Sequence, residues 1–355
     1  MGTRIEMTPV LDRPALAKTD PTDQLTDVLA LPEHLRDAMW KVESAGVRPV
    51  DTPDGLIVAG MGQSAMGGLL ARAALGDHAS RPILNARAYG LPPWTTPTTT
   101  VLCASYSGDT EETLACYEAA GALGAPRVVV TTGGRLAEQA REEGVPVIPI
   151  AGGLTSATSI GYLVVAALEV AAQCGAGPRL TSEIDVAAEH LEELVIAWGP
   201  EAPEDSEAKG LARALHGTVP VIAGAGLTTP VAQRWKAQLN TVAGVPAFAS
   251  ELPDLDHAEL AGWAGADSLA RFTAVFLDDA DTHPRVQDRI ALTREIITAH
   301  AAATHRIATR GQTAVERVLS LVLFGDLVAH YLAALRGLDP AATGLVDRLK
   351  DQLGA

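Results

Sequence analysis

The chain has 355 residues, with 27 Lys+Arg against 43 Asp+Glu and a formal net charge of −16, and 47% of it is hydrophobic. That much apolar material excludes global disorder, and the length predicts two domains. A pI near 4.9 excludes a coat for nucleic acid or for an anionic membrane, while leaving room for a small anion held by oriented backbone N–H groups. The scattered cysteines Cys103, Cys116 and Cys174 form no C-x-x-C, which points to a reducing compartment and to neither a disulfide framework nor a zinc site. The opening MGTRIEMTPVLDRP has no apolar run of signal length. The longest apolar stretch, Ile160–Ala172, carries Glu169 and is too short to span a bilayer. A cytoplasmic protein is expected.

Short β-branched runs alternate with longer helical stretches, the pattern of parallel sheets in an α/β fold. Gly55–Gly60 reads as a strand, followed by a Gly-rich turn and a helix from about Ser64 to Leu75. Thr99–Ala104 is the next strand, followed by a Ser/Gly/Asp turn and a helix from about Thr110 to Ala122. Arg127–Thr131 is a strand, with a helix through about Glu143 behind it; Val145–Ile150 is a fourth strand and Thr155–Cys174 a long apolar helix.

A break follows: Gly/Pro-rich Gly175–Leu180, an amphipathic helix over Thr181–Trp198, and the acidic, Pro-containing Gly199–Asp205. The theme then repeats. Val219–Ala223 is a strand, Gly224–Gly226 a turn, and Pro230–Ala243 a helix. Leu269–Leu277 and His305–Ala308 read as strands, with helices over Arg285–His300, Val315–Leu335 and Gly344–Gln352. The expected organisation is a first lobe over 25–178, a helix and linker over 179–205, and a second lobe over 206–355, each lobe a mostly parallel sheet flanked by helices. The long apolar helices exceed what a small lobe needs, which predicts a helical subunit interface.

Two turns carry the chemistry. GMGQSAMGG (Gly60–Gly68) follows a strand and opens a helix, so its free amides and the Ser64 hydroxyl can hold an anion. The same residues fit a loose dinucleotide fingerprint, yet the acidic residue wanted about 20 positions on is missing from PILNARAYG. A plain tight turn has the same sequence. SYSGDTEET (Ser105–Thr113) occupies the same place in the next unit and offers Ser105, Ser107 and Thr110. Asp109 with Glu112 suits a helix cap. Two neighbouring helix starts, each with hydroxyls, aimed at one point suit a phosphate monoester. The histidines form no metal-spaced cluster, and neither a metal nor a cofactor is expected.

The G-x-G-x-S turn followed by [ST]-x-S-G-x-T-x-E resembles the sugar isomerase (SIS) domain. From about Leu25 onward the chain resembles the bifunctional phosphoglucose/phosphomannose isomerase family, through Val231–Asn240, Pro246–Trp263, Phe324–Pro340 and Asp347–Leu353. The resemblance implies two SIS-type lobes and a phosphosugar substrate whose phosphate meets Gly62, Ser64, Ser105, Ser107 and Thr110. It implies a ring-opening His257, a catalytic Lys350, and a homodimer in which His257 enters the neighbouring subunit's pocket. Thr343 falls near the sugar by its spacing from Lys350.

Two positions depart from the family pattern. Thr241 stands where the family has its proton-shuttling Glu, and Ala157 where it has an Arg near the enediolate. An ordinary hydroxyl is no base near pH 7, and losing a base costs roughly 10²–10⁴-fold in rate. Asp254 and Glu259 match acidic family positions that are not the shuttle. Two functions stay open: aldose–ketose isomerisation of a hexose 6-phosphate, or a silent phosphosugar sensor or scaffold.

Overall fold

The computed structural model describes residues 9–353, the side chain of residue 350 excepted. Helices α1 (Arg13–Leu16), α2 (Gln24–Leu29) and α3 (Leu31–Ser44) precede the first lobe. That lobe runs β1 (Leu56–Gly60), a 3-10 turn over Gly62–Ala65, α4 (Met66–Leu75), β2 (Ile83–Ala86), β3 (Thr100–Ala104) and α5 (Glu111–Leu123). It continues through β4 (Arg127–Thr131), α6 (Gly134–Glu142), β5 (Val147–Pro149) and α7 (Ile160–Gln173). Helices α8 (Thr181–Trp198) and α9 (Glu207–Leu215) lead on to β6 (Val219–Ala225), a 3-10 turn over Gly226–Thr228, α10 (Thr229–Thr241), β7 (Phe248–Leu252) and α11 (Leu255–Ala258). A 3-10 stretch over Leu260–Ser268, β8 (Phe272–Asp278), α12 (Pro284–Thr298), β9 (Ala303–Ala308), α13 (Ala314–Arg336) and α14 (Gly344–Leu353) complete the chain.

Every strand pairing is parallel. The first sheet has the order β2-β1-β3-β4-β5 and the second β7-β6-β8-β9. The α/β architecture is thus the expected one. Gly60 lies opposite Ala104, so β1 and β3 end level. The chain leaves β1 toward β2 on one side, while β3 occupies the other. That reversal opens a crevice at the strand ends, where open α/β sheets bind ligands. The pair β6 and β8 makes the same reversal in the second lobe.

The inner faces of both sheets close on one apolar core: Val58, Leu102 and Val130 from the first, Ile222, Val275 and Leu277 from the second. Helices α7 and α13 fill the space between, α7 packing on α3 and α4, and α13 on α8, α9 and α10. Each fully buried Leu or Val there contributes roughly 1.5–3 kcal/mol of transfer free energy. This corrects the expectation that their apolarity marks a subunit interface: both helices are covered within one chain. Among the described residues only α13 is long and apolar enough to cross a membrane, and it is buried as a core helix.

Several elements escape the sequence pattern, the short helices α1, α2 and α11 among them. β2 and β7 are edge strands, and half-burial leaves them polar residues such as Asn85 and Glu251. α3 and α9 are amphipathic helices outside the strand-turn-helix units. The long helix expected from Thr155 begins only at Ile160, because Thr155 and Thr158 bond each other in a turn ahead of it.

Candidate functional site

The crevice between β1 and β3 is bounded by two turns. In the first, Gly62 has φ 52° and Ser64 is buried, its N–H donating to Met61 O at 3.0 Å. In the second, Ser105 is buried, Thr110 half-buried and Ser107 exposed. The turns touch: the Tyr106 N–H donates to Ser64 Oγ at 3.3 Å.

Within the second turn the hydroxyls are held by the backbone and by one another. Ser105 Oγ and Thr110 Oγ1 lie 2.9 Å apart, and the Gly108 N–H donates to Ser105 Oγ at 3.1 Å. The Asp109 N–H donates to Ser107 Oγ at 3.2 Å. Gly108 has φ +79°, and a Cβ there would stand 1.9 Å from Gly133 O. Only glycine fits, because the turn after β4 presses against this one. Leu136 N–H donates to Gly108 O at 2.9 Å and Thr132 N–H to Tyr106 O at 3.1 Å.

The cap expected of Asp109 and Glu112 is not formed. Helix α5 starts at Glu111 with Thr110 as its N-cap, and no side chain caps its amides. Asp109 instead accepts from Arg135 N–H at 3.0 Å, at the start of α6. The first-turn amides of α5 therefore keep no intrahelical or capping partner and point at the crevice, a favourable place for an anion. Glu111 and Glu112 sit in that same turn, and Glu111 accepts from the Tyr89 hydroxyl at 3.0 Å. Burial, with Asp27 near it, pushes the Tyr106 hydroxyl above its ordinary value, so it stays protonated and donates to Leu154 O.

The remaining sequence candidates lie elsewhere. Thr241, the last residue of α10, is exposed and donates its hydroxyl to Ala237 O at 2.9 Å. Ala157 is half-buried in the turn before α7, and its carbonyl accepts from Arg234 Nη2 at 2.9 Å. His257 is exposed on α11, which packs on β7 and the 260–268 stretch of the second lobe. No hydrogen bond joins its ring to a described residue. Asp256 and Glu259 are tied up locally, the first by Arg289 and Thr293, the second by the Ser250 hydroxyl at 2.5 Å. Asp254 and Glu251 are exposed. Thr343 donates to Asp347 at 2.5 Å at the start of α14. The side chain of Lys350 lies outside the described residues. The two hydroxyl turns come together, and His257, on α11 of the second lobe, makes no hydrogen bond with either.

The sequence pattern did not single out Gln63, Arg234, Gln238 or Asp326, which form a buried polar cluster behind the first turn. The available signal was Asp326 standing alone in the apolar run of α13, with Arg234 and Gln238 at i, i+4 on α10. No group of three His, Cys, Asp or Glu is placed to hold a metal among the described residues. A cavity of about 880 Å³ opens at the other end of the first sheet, beside Arg48, Arg127 and Arg141. Helices α3, α6 and α7 end there, and their carbonyl termini disfavour an anion.

The chain resembles known proteins over most of its length. Residues 204–353 match the family model of the bacterial phospho-glucose isomerase C-terminal SIS domain. It is 34% identical to a bifunctional phosphoglucose/phosphomannose isomerase of Caldicellulosiruptor bescii, over 92% of this chain and 97% of that one. It is 31% identical to the protein of the same description from Aquifex aeolicus, over 84% and 90%. A solved hypothetical protein from Thermus thermophilus superposes with a TM-score of 0.73 over 97% of this chain and 94% of that one, at 17% identity, and so shares the SIS-type fold.

Proposed function

Since the chain belongs to the bifunctional phosphoglucose/phosphomannose isomerase family, we propose that it binds a hexose 6-phosphate with the phosphate between the Gly62–Ser64 and Ser105–Thr110 turns. The observation that carries this is the Tyr106 N–H to Ser64 Oγ contact, which brings two hydroxyl-bearing helix starts to one crevice. A phosphate dianion there meets Ser64, Ser105, Ser107 and Thr110 and the uncapped amides of α5. Bound phosphate replaces the hydroxyl-to-hydroxyl bond of Ser105 and Thr110 with charge-assisted bonds, which are roughly twice as strong.

Isomerisation demands more than binding. A base must carry a proton between C1 and C2, and positive charge must stabilise the enediolate between them. Thr241 already donates its hydroxyl to a carbonyl of its own helix, and Ala157 offers a methyl. Arg234, the guanidinium touching Ala157 O, is bound to Asp326 and fully buried. The protein is therefore read as a phosphosugar binder whose aldose–ketose step is crippled, working as a sensor or scaffold. The second reading, a working isomerase, is favoured by the family-matched His257 and Lys350 and takes its missing base from elsewhere. Both readings carry a cytoplasmic homodimer with His257 supplied across the interface, and the net charge of −16 supports neither nucleic acid nor an anionic membrane as partner.

Purified protein incubated with glucose 6-phosphate or mannose 6-phosphate, with fructose 6-phosphate followed through coupled enzymes, separates the readings. A thermal-shift titration runs beside it. Stabilisation of about 2.7 kcal/mol at a hundredfold excess over Kd, with no product, is expected of the binder. Thr241→Glu together with Ala157→Arg should then raise turnover by roughly 10²-fold or more. Product from the unaltered chain supports the isomerase. No shift with either sugar overturns both.

A further inference from the structure

The buried cluster behind the first turn forms a closed ring of hydrogen bonds between the lobes. Arg234 Nε donates to Asp326 Oδ1 at 3.1 Å and Nη2 to Oδ2 at 2.6 Å. Arg234 Nη1 donates to Gln63 Oε1 at 3.1 Å, and Nη2 also reaches Ala157 O at 2.9 Å. Gln63 Nε2 donates to Gln238 Oε1 at 2.8 Å, and Gln238 Nε2 returns to Asp326 Oδ1 at 2.9 Å. The ring has one permitted direction. A guanidinium only donates and a carboxylate only accepts, so both amides are locked in their orientation. Arg234 and Gln238 are fully inaccessible, and Asp326 and Gln63 are buried.

Such a pair is not explained by stability. Buried ion pairs recover little over well-packed apolar side chains of the same volume, because both charges must be stripped of water. What the ring does is hold one side chain. Gln63 lies between Gly62 and Ser64, the two residues of the first turn that face the crevice. Ala157, held by the same guanidinium, lies in the turn whose Leu154 carbonyl receives the Tyr106 hydroxyl. One guanidinium from the second lobe thus braces both turns beside Tyr106, and Tyr106 N–H meets Ser64.

We propose that Arg234, Gln238 and Asp326 are positioning residues: they hold Gln63 and thereby set the Gly62 backbone and the Ser64 hydroxyl at the spacing that a phosphate needs. This rests on the phosphosugar reading for its ligand, though not for its geometry. The second lobe then serves the anion site of the first without touching the anion. Loss of the brace lets the turn drift, and losing one hydrogen bond to the charged phosphate costs roughly ten- to a hundredfold in Kd.

The test uses Gln63→Met and Gln238→Met in the full chain, both of which leave the Arg234–Asp326 pair intact. Two readouts are taken: Kd for glucose 6-phosphate by calorimetry, and hydrogen exchange of the amides over 60–66. The proposal expects Kd to rise about tenfold or more, with exchange accelerated over 60–66 and unchanged in α10 and α13. A merely structural ring predicts faster exchange on all its sides. Equal acceleration in α10 and α13, or Kd and exchange both as in the unaltered chain, overturns the proposal. If the unaltered chain binds no hexose phosphate while Gln238→Met still loosens 60–66 alone, the positioning stands and the ligand assignment falls.

Discussion

The two lobes have the same turn after their first strand and fill it differently. A glycine stands at the end of β1 (Gly60) and one residue before the end of β6 (Gly224), and in each a second glycine two residues on has positive φ, 52° at Gly62 and 55° at Gly226. Two residues further stands a hydroxyl, Ser64 or Thr228. Ser64 accepts from the neighbouring turn and borders the crevice. Thr228 is fully buried, donates to Leu277 O at 3.2 Å, and accepts from Ala225 N–H at 2.9 Å. The partner turns diverge further. After β3 come Ser105, Ser107 and Thr110; β8 ends on Asp278, and Asp279 and Asp281 follow it. Arg306 is bound to Asp278, and Arg317 lies 2.9 Å from Asp279 and 2.8 Å from Asp281. The backbone alone does not make an anion site. In the proposed reading, hydroxyls and uncapped amides make one in the first lobe, whereas in the second the carboxylates are paired with their own arginines.

If that contrast is right, glycine-to-alanine changes at Gly108, in the turn after β3 of the first lobe, and at Gly226, in the turn after β6 of the second, should behave oppositely, and this is the largest effect expected. Gly108→Ala meets both a positive φ and Gly133 O at 1.9 Å, so hexose phosphate binding should be abolished in calorimetry. Gly226→Ala meets nothing within 4 Å, so it should cost only the left-handed backbone penalty, roughly 1–2 kcal/mol in denaturant unfolding, and leave Kd unchanged.

The hydroxyls should sort in the same way with a smaller effect. Ser105→Ala removes a partner of the anion and should weaken binding by about 1.5–3 kcal/mol, or roughly ten- to a hundredfold in Kd, besides the stability lost by leaving the buried Gly108 N–H without its acceptor. Thr228→Val leaves the buried Ala225 N–H without its acceptor and should cost about 1–3 kcal/mol of stability, with Kd unaltered. The reverse pattern would mean that the second lobe holds the ligand.

Much of this contrast was legible in the sequence, because it is written in local chemistry. Gly-x-Gly-x-Ser after an apolar strand predicts its own turn, and β1, β3, β4, β6 and β8 announce themselves by buried, β-branched runs. The edge strands β2 and β7 did not, since half-burial leaves them polar residues, whereas the edge strands β5 and β9 were read at Val145–Ile150 and His305–Ala308. The ring around Gln63 was invisible for a different reason: its bonds join residues 171, 175 and 92 positions apart. Apolarity in α7 and α13 was visible, but composition does not say whether another chain or the opposite sheet covers a helix. Asp109 illustrates the same limit at short range. Its residue type predicts a cap, and only the structure says that the helix it serves is α6.

The smallest expected effect concerns acid. Burial lowers the pKa of His305 and His330, both in the second lobe, and of His34 on α3. Burial keeps the His330 ring neutral, with its proton on Nδ1, which donates to Asp326 O at 2.8 Å. The unfolded chain takes up these protons near pH 6.5 and the folded chain only at lower pH. Stability is therefore full above about pH 6.5 and falls beneath it, by at most about 1.4 kcal/mol per pH unit for His330. Hydrogen exchange at pH 5.5 against pH 7.5 should show α13 and β9 losing more protection than β1 and β3; uniform loss would contradict the assignment to these histidines.

A crystal structure of the chain soaked in glucose 6-phosphate tests the central claim most directly. The account predicts one phosphate per chain, within hydrogen-bonding distance of Ser64 and of Ser105, Ser107 or Thr110, and none between Gly226 and Asp279. Phosphate seated in the second lobe, or in the cavity beside Arg48, Arg127 and Arg141, with the first-lobe crevice unoccupied, would contradict it.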